Sequence, residues 1–147
     1  MIPTTTSNRQ PRFLLDTHVW IWLEDGRVSE LPAEIADAMV QVRHQGGLCV
    51  SAISVFEVGI LVTKGRIALS KPLDAWLERA VAHPGVRVLP VTAEVALHAV
   101  SLPGEFHRDP ADQMIVATAR TTASTLLTRD AKILSYARQG HLRVLHV

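Results

Sequence analysis

Five acidic residues are the first candidates for chemistry in this chain: Asp16 in L-L-D-T-H, Glu57 in S-V-F-E-V, Asp109 and Asp112 in H-R-D-P-A-D-Q, and Asp130 in L-T-R-D-A. Carboxylates can act as general acids and bases, or as oxygen ligands of a hard cation. Like charges brought close together repel, so a cluster of them destabilises a fold unless it is protonated or neutralised. A divalent metal is the natural neutraliser. Each acid also has a capping explanation. Asp109, Pro110 and Asp112 make a D-P-x-D helix start, Ser54 to Glu57 fits an S-x-x-E capping box, and Asp16 and Asp130 are N-cap types. Capping, however, makes no demand that several acids share one place, so the elements that carry them decide between the two readings.

Phe13-Leu14-Leu15 is a short continuous apolar run, expected of a strand buried on both faces, and it stops at Asp16. Leu31, Ile35, Met39 and Val42 recur at helical spacing between Ser29 and His44, with Pro32 and Glu34 in the first turn, and Gly46-Gly47 closes that helix. Leu48-Cys49-Val50 reads as a second strand, followed from Ser51 to Thr63 by a helix that is apolar nearly all round and whose conspicuous acid is Glu57. Leu73, Trp76, Leu77, Ala80 and Val81 make the stripe of a helix before the strand Arg87 to Leu89, and Thr92 can cap a helix through Val95, Ala96, Ala99 and Val100. Asp109 then opens a helix whose residues Met114, Ile115, Ala117 and Ala119 demand burial. Thr125 to Thr128 is a strand, Asp130 starts a helix through Ile133, Leu134 and Tyr136, and Leu142 to Val147 is a last strand. About five short strands alternating with helices predict an α/β fold with a parallel sheet covered on both faces, because parallel neighbours need crossover connections.

In such a sheet a site forms beyond the carboxyl ends of the strands. Asp16 directly follows the first strand, Glu57 lies in the early turns after the second, and Asp130 follows the fourth by two residues. Asp109 and Asp112 start the helix leading into the fourth strand, which places them less directly. Oxygen ligands without a Cys and His spacing suit Mg²⁺ or Mn²⁺ better than Zn²⁺. Such a site typically works on phosphate esters, with a metal-activated water as nucleophile.

Composition sets the remaining limits. At 147 residues, 48% hydrophobic and 5% aromatic, the chain is expected to form one domain over residues 12–147, after a polar tail at 1–11 bracketed by Pro3 and Pro11. The lone Cys49 lies in an apolar run, so it reads as a core residue with no disulfide partner. No apolar run approaches the roughly twenty residues of a membrane span and no signal-peptide core is present, which makes the cytoplasm the expected location. Fifteen Lys and Arg against fourteen Asp and Glu leave a net charge of +1, so nucleic acid would have to be held by a local patch rather than a global field.

Taken together, L-L-D-T-H-V-W-I-W, S-A-I-S-V-F-E-V-G-I-L-V-T-K-G-R-I, H-R-D-P-A-D-Q-M-I-V-A-T-A-R and L-L-T-R-D resemble the PIN-domain nucleases, specifically the VapC toxins of bacterial type II toxin–antitoxin pairs, in order from about Phe13 to Val147. The resemblance implies a three-layer α/β/α sandwich, Mg²⁺- or Mn²⁺-dependent endonucleolytic cleavage of RNA, a homodimer, and inhibition by a VapB-type antitoxin. Residue by residue it makes Asp16, Glu57, Asp112 and Asp130 the family acids, and Asp109 the extra acid of members carrying D-P-x-D. Thr17 and Thr128 match polar positions beside the acids that orient water or carboxylate.

Arg108, Arg120, Arg129 and Lys132 adjoin the acids in sequence and are candidate phosphate contacts, although charges near helix ends are also simply solvated. His18 and His107 flank acids, and their expected place is the surface or behind the ligands. Trp20 and Trp22 are expected in the core or an interface, and the apolar helix Val55 to Val62 either in the core or against a partner chain. Two rival functions remain. A noncatalytic RNA- or protein-binding module would leave the acids as relics, and a small-molecule phosphohydrolase would want a closed polar pocket and a D-x-D motif, which Asp16-Thr17-His18 lacks.

Overall fold

The computed structural model describes residues 12–147, so the tail expected at 1–11 lies outside the described residues. Five strands, β1 (Phe13–Leu15), β2 (Leu48–Ser51), β3 (Arg87–Leu89), β4 (Thr125–Thr128) and β5 (Val144–His146), form one parallel sheet in the order β3-β2-β1-β4-β5. Leu14 pairs with Cys49 on one side and Leu126 on the other, which makes β1 the central strand. Seven helices connect them: α1 (Thr17–Glu24), α2 (Ala33–His44), α3 (Ala52–Thr63), α4 (Leu73–Val81), α5 (Ala93–Val100), α6 (Pro110–Thr121) and α7 (Ala131–Ala137).

The continuous apolar strands are explained by the two layers they feed. Alternate side chains of a strand face opposite ways. Phe13, Leu15, Leu48, Val50 and Leu127 point into a core with Trp20 of α1, Met39 and Val42 of α2, Val58 of α3 and Trp76 of α4. Leu14, Cys49 and Leu126 face the other way, onto Ile115, Val116 and Ala119 of α6 and Ile133 and Tyr136 of α7. α5 lies outside α6, joined to it through Val95, Ala99 and Ala117. All of β1 and, in β4, Leu126 to Thr128 are thus buried, and the result is the expected α/β/α sandwich. Cys49 is fully buried, and Trp20 sits edge-on to Trp76 with ring centroids 5.2 Å apart.

Two local expectations change. The helix predicted from Ser29 begins only at Ala33, after a separate 3-10 turn, Val28–Glu30. Pro32 offers no N–H and pushes the residue before it to extended backbone, so the helix cannot run through it. Likewise Ser54 caps nothing: the N-cap of α3 is Ser51, whose hydroxyl accepts from the Ile53 N–H. Glu57 therefore lies in the second turn of α3, and the capping-box explanation of this acid falls away.

Candidate active site

The first strand delivers Asp16 to the C-terminal edge of the sheet. One of its oxygens accepts the Thr17 N–H at 2.8 Å, starting α1, and the other accepts the Thr128 hydroxyl at 2.6 Å, across from the end of β4. The same Thr128 oxygen accepts the Asp130 N–H at 3.0 Å, so a single hydroxyl ties two acids of neighbouring connections. Asp130 in turn caps α7 through the Ile133 N–H at 2.9 Å. Thr17 is fully buried, with its hydroxyl 2.8 Å from that of Ser54, and so holds the start of α1 against α3.

The uncertain placement of Asp109 and Asp112 is resolved by helix direction. α6 ends just before β4 begins and runs antiparallel to it, which puts the start of α6 at the same edge as the ends of β1 and β4. There Asp109 caps the helix by accepting the Asp112 N–H at 3.1 Å, with Pro110 in the first turn. One oxygen each of Glu57, Asp109 and Asp112 lie within 4.8 Å of one another. Asp16 and Asp130 line the same cleft, which has a volume of about 620 Å³. Sheet order accounts for the position: β2 and β4 flank β1 on opposite sides, and the crevice opens where the connections diverge.

Electrostatics agree with the distances. Burial, chiefly, and then the charges of Asp16, Asp109, Glu57 and Asp130 push Asp112 up to about 7. Glu57 is also raised to about 7, by burial first; the Thr17 hydroxyl opposes this and the charges of Asp16, Asp109 and Asp130 add to it. Asp16 is raised by burial despite its hydrogen bonds from Thr128 and Thr17. Five carboxylates in one crevice cannot all ionise cheaply, and protons or a cation must share it with them. Three of the five, Glu57, Asp109 and Asp112, offer carboxylate oxygens within 4.8 Å of one another, a donor set made of hard oxygen atoms. That chemistry fits Mg²⁺ or Mn²⁺.

The expected phosphate contacts separate. Arg129 lines the cleft, with its Nε donating to the Val147 carbonyl at 2.9 Å, an Nη to the Glu30 carbonyl at 2.7 Å, and its guanidinium 4.5 Å above the Trp22 ring. Arg120 is not brought there. It lies at the far end of α6, where it donates to His98 Nε2 and to the His141 carbonyl. Arg108 is exposed and outside the cleft lining, as is Lys132. His107 lies behind Asp112: its Nε2 is 3.0 Å from Asp112 Oδ2 at ion-pair distance without an aligned hydrogen bond, while Nδ1 accepts the Asp109 N–H at 3.3 Å. His18 lines the cleft and is exposed. Lys64 and Arg66 also line it, and sequence reasoning missed them. Their signal was present: Lys64 lies seven residues beyond Glu57, two turns along the same helix face.

Sheet order, crevice and carboxylate set together define an α/β protein with an acidic cluster at the C-terminal edge of a parallel sheet. The chain belongs to the PIN domain family, which matches residues 13–139. It is 39% identical over 124 residues to the ribonuclease VapC22 of Mycobacterium tuberculosis, covering 84% of this chain and 90% of that protein. Its fold resembles those of VapBC2 from Rickettsia felis bound to a promoter DNA fragment (TM-score 0.64, 13% identity, 91% of this chain and 97% of that one) and of DNA-bound VapBC from Salmonella typhimurium (TM-score 0.64, 20% identity, 92% and 98%). At such identities these two likenesses bear on the fold.

Proposed function

We propose that this chain is a metal-dependent endoribonuclease and the toxin of a type II toxin–antitoxin pair, working in the cytoplasm. The observation that carries the reading is the convergence of Asp16, Glu57, Asp109, Asp112 and Asp130 on one crevice. The ribonuclease relative supports the activity, and the VapBC complexes of like fold support a VapB-type antitoxin as partner. Glu57, Asp109 and Asp112 would hold Mg²⁺ or Mn²⁺, with Asp16 and Asp130 completing the site. When bound, the ion supplies Lewis acidity toward a phosphoryl oxygen and lowers the pKa of a water.

The chain's own residues do the rest. Thr128 and the Thr17 N–H fix both oxygens of Asp16, so its carboxylate enters the cleft in one orientation. Arg129, tethered at three points, offers a preorganised cation to a phosphate without further loss of side-chain freedom. Hydrolysis joins a water oxygen to phosphorus and breaks one bridging P–O bond. The proton lost by the water must be carried and another returned to the leaving oxygen, and carboxylates line the cleft to do so. Exposed apolar Phe56 and Ile60 beside the acids suit a polymeric substrate better than the closed polar pocket of a small-molecule phosphohydrolase.

Leu97 and Val100, 69% and 76% exposed on α5, support the homodimer. Purified protein freed of its partner is expected to cut RNA with Mg²⁺ or Mn²⁺ and to stop in EDTA. Undiminished cleavage in excess EDTA would overturn the metal-dependent reading.

A further inference from the structure

α3 turns one continuous stripe toward the cleft. Ile53, Phe56, Glu57, Ile60, Leu61 and Lys64 all line it, at spacings of three and four residues. Phe56 is 64% exposed and Ile60 37%, so the stripe leaves an acid for an apolar wall that water still reaches. Seven residues separate Glu57 from Lys64, about 10 Å along the helix. Gly65, at φ +66°, then turns the chain so that Arg66 stays on the cleft. Among the described residues neither Lys64 nor Arg66 forms an ion pair.

Resting on the ribonuclease reading, we propose that this face of α3 is the track for single-stranded RNA, with the Phe56 ring stacked on a base next to the scissile phosphate and Lys64 and Arg66 holding the phosphates beyond it. A nucleic-acid strand alternates flat apolar bases with anions, and the stripe offers an aromatic and aliphatic wall followed by two free cations. Arg129 stands as a third, anchored cation in the same cleft. Stacking on an exposed ring with a cationic groove beside it is how sequence-tolerant single-strand binding is built. A base inside a duplex already has both faces covered, so the track selects unpaired RNA.

The test measures fluorescence anisotropy of a labelled oligoribonucleotide in EDTA, where nothing is cut, together with its cleavage rate in Mg²⁺. Phe56→Leu keeps apolar bulk and loses the ring, while Phe56→Trp keeps a ring. Phe56→Leu should weaken binding roughly ten-fold and Phe56→Trp should not, in line with stacking of one base. Single abasic residues placed along the oligonucleotide should include one position that weakens wild type by a similar factor and Phe56→Leu no further. Lys64→Gln with Arg66→Gln should reduce the slope of log affinity against log salt by roughly 1.4, the value for two phosphates on a single strand.

Equal affinity of Phe56→Leu and wild type, or the same abasic penalty in both, overturns the proposal. If Phe56→Asp instead abolishes dimer or antitoxin binding while RNA affinity is unchanged, the face belongs to a protein partner and the proposal is likewise overturned. Wild type that binds but never cuts would sink the ribonuclease reading instead, and the binding measurements still decide this one.

Discussion

Asp112 has two possible duties, and its substitution tells them apart. As a first-turn acid it faces the positive end of the α6 dipole, and neutralising it would cost on the order of 0.3–1 kcal/mol with or without metal. As one of five crowded carboxylates, held up at about 7 by burial and its neighbours, it would relieve repulsion when neutralised. Asp112→Asn is therefore expected to melt no lower than wild type in EDTA, to gain less from Mg²⁺, and to lose activity on the order of 100-fold. Equal metal-induced shifts in thermal melts, with unaltered cleavage, would make it a helix cap only. Thr128→Val asks a related question of a neighbour. It preserves shape but removes the donor to Asp16 and the acceptor of the Asp130 N–H, leaving buried polar groups unpaired. A loss of about 1–3 kcal/mol in urea denaturation is expected, together with weaker metal binding by titration calorimetry.

At the scale of an element, the start of α6 carries both structure and chemistry. Asp109 caps it, Pro110 fits the first turn, and the apolar residues Ile115, Val116 and Ala119 drive it into the sheet. Asp109→Ser separates the duties, because serine caps about as well as aspartate and carries no charge. Stability without metal should change by only a few tenths of a kcal/mol, while the rise in melting temperature caused by Mn²⁺ should shrink. A variant that melts like wild type both with and without Mn²⁺ would remove Asp109 from the metal site. α3 shows the opposite division. Only Ser54 and Val58 are fully buried; Val55 and Val62 pack partly buried against the core, while Phe56, Ile60 and Leu61 line the cleft.

For the whole molecule, the clustered acids set how stability follows pH. Glu57 and Asp112 ordinarily titrate at 4.5 and 3.8, and in the fold both move to about 7. Between those limits the native chain holds protons that the unfolded chain has released. The metal-free protein should therefore lose stability as pH rises from about 4 to 7, by a few kcal/mol, and level off above. Saturating Mg²⁺, which competes with the protons, should reverse that trend. Urea denaturation at a series of pH values in EDTA checks this, and the combination Glu57→Gln with Asp112→Asn should flatten the slope. Light scattering of the antitoxin-free protein is expected to give twice the protomer mass. A monomer at micromolar concentration would count against the homodimer.

Much of this was legible along the chain. Phe13-Leu14-Leu15 declared a strand buried on both faces because no polar residue interrupts it, and D-P-A-D announced the start of α6 because its cap, proline and acid are local chemistry. The alternation of such elements determined a parallel sheet, and with it the edge at which Asp16 and Asp130 emerge. Other facts depend on how elements approach one another, for which spacing holds no record. Nothing local distinguishes Arg120 from Arg129, yet the first lies at the far end of α6 and the second in the cleft. Nothing local announces that one hydroxyl, Thr128, joins acids more than a hundred residues apart. Helix direction alone brings Asp109 and Asp112 to Glu57, and burial together with their mutual repulsion raises Asp112 and Glu57 to about 7. The sequence by itself determined which residues carry charge and which elements hold them; only packing decided which of those charges meet, because Coulomb repulsion and desolvation act through space and not along the chain.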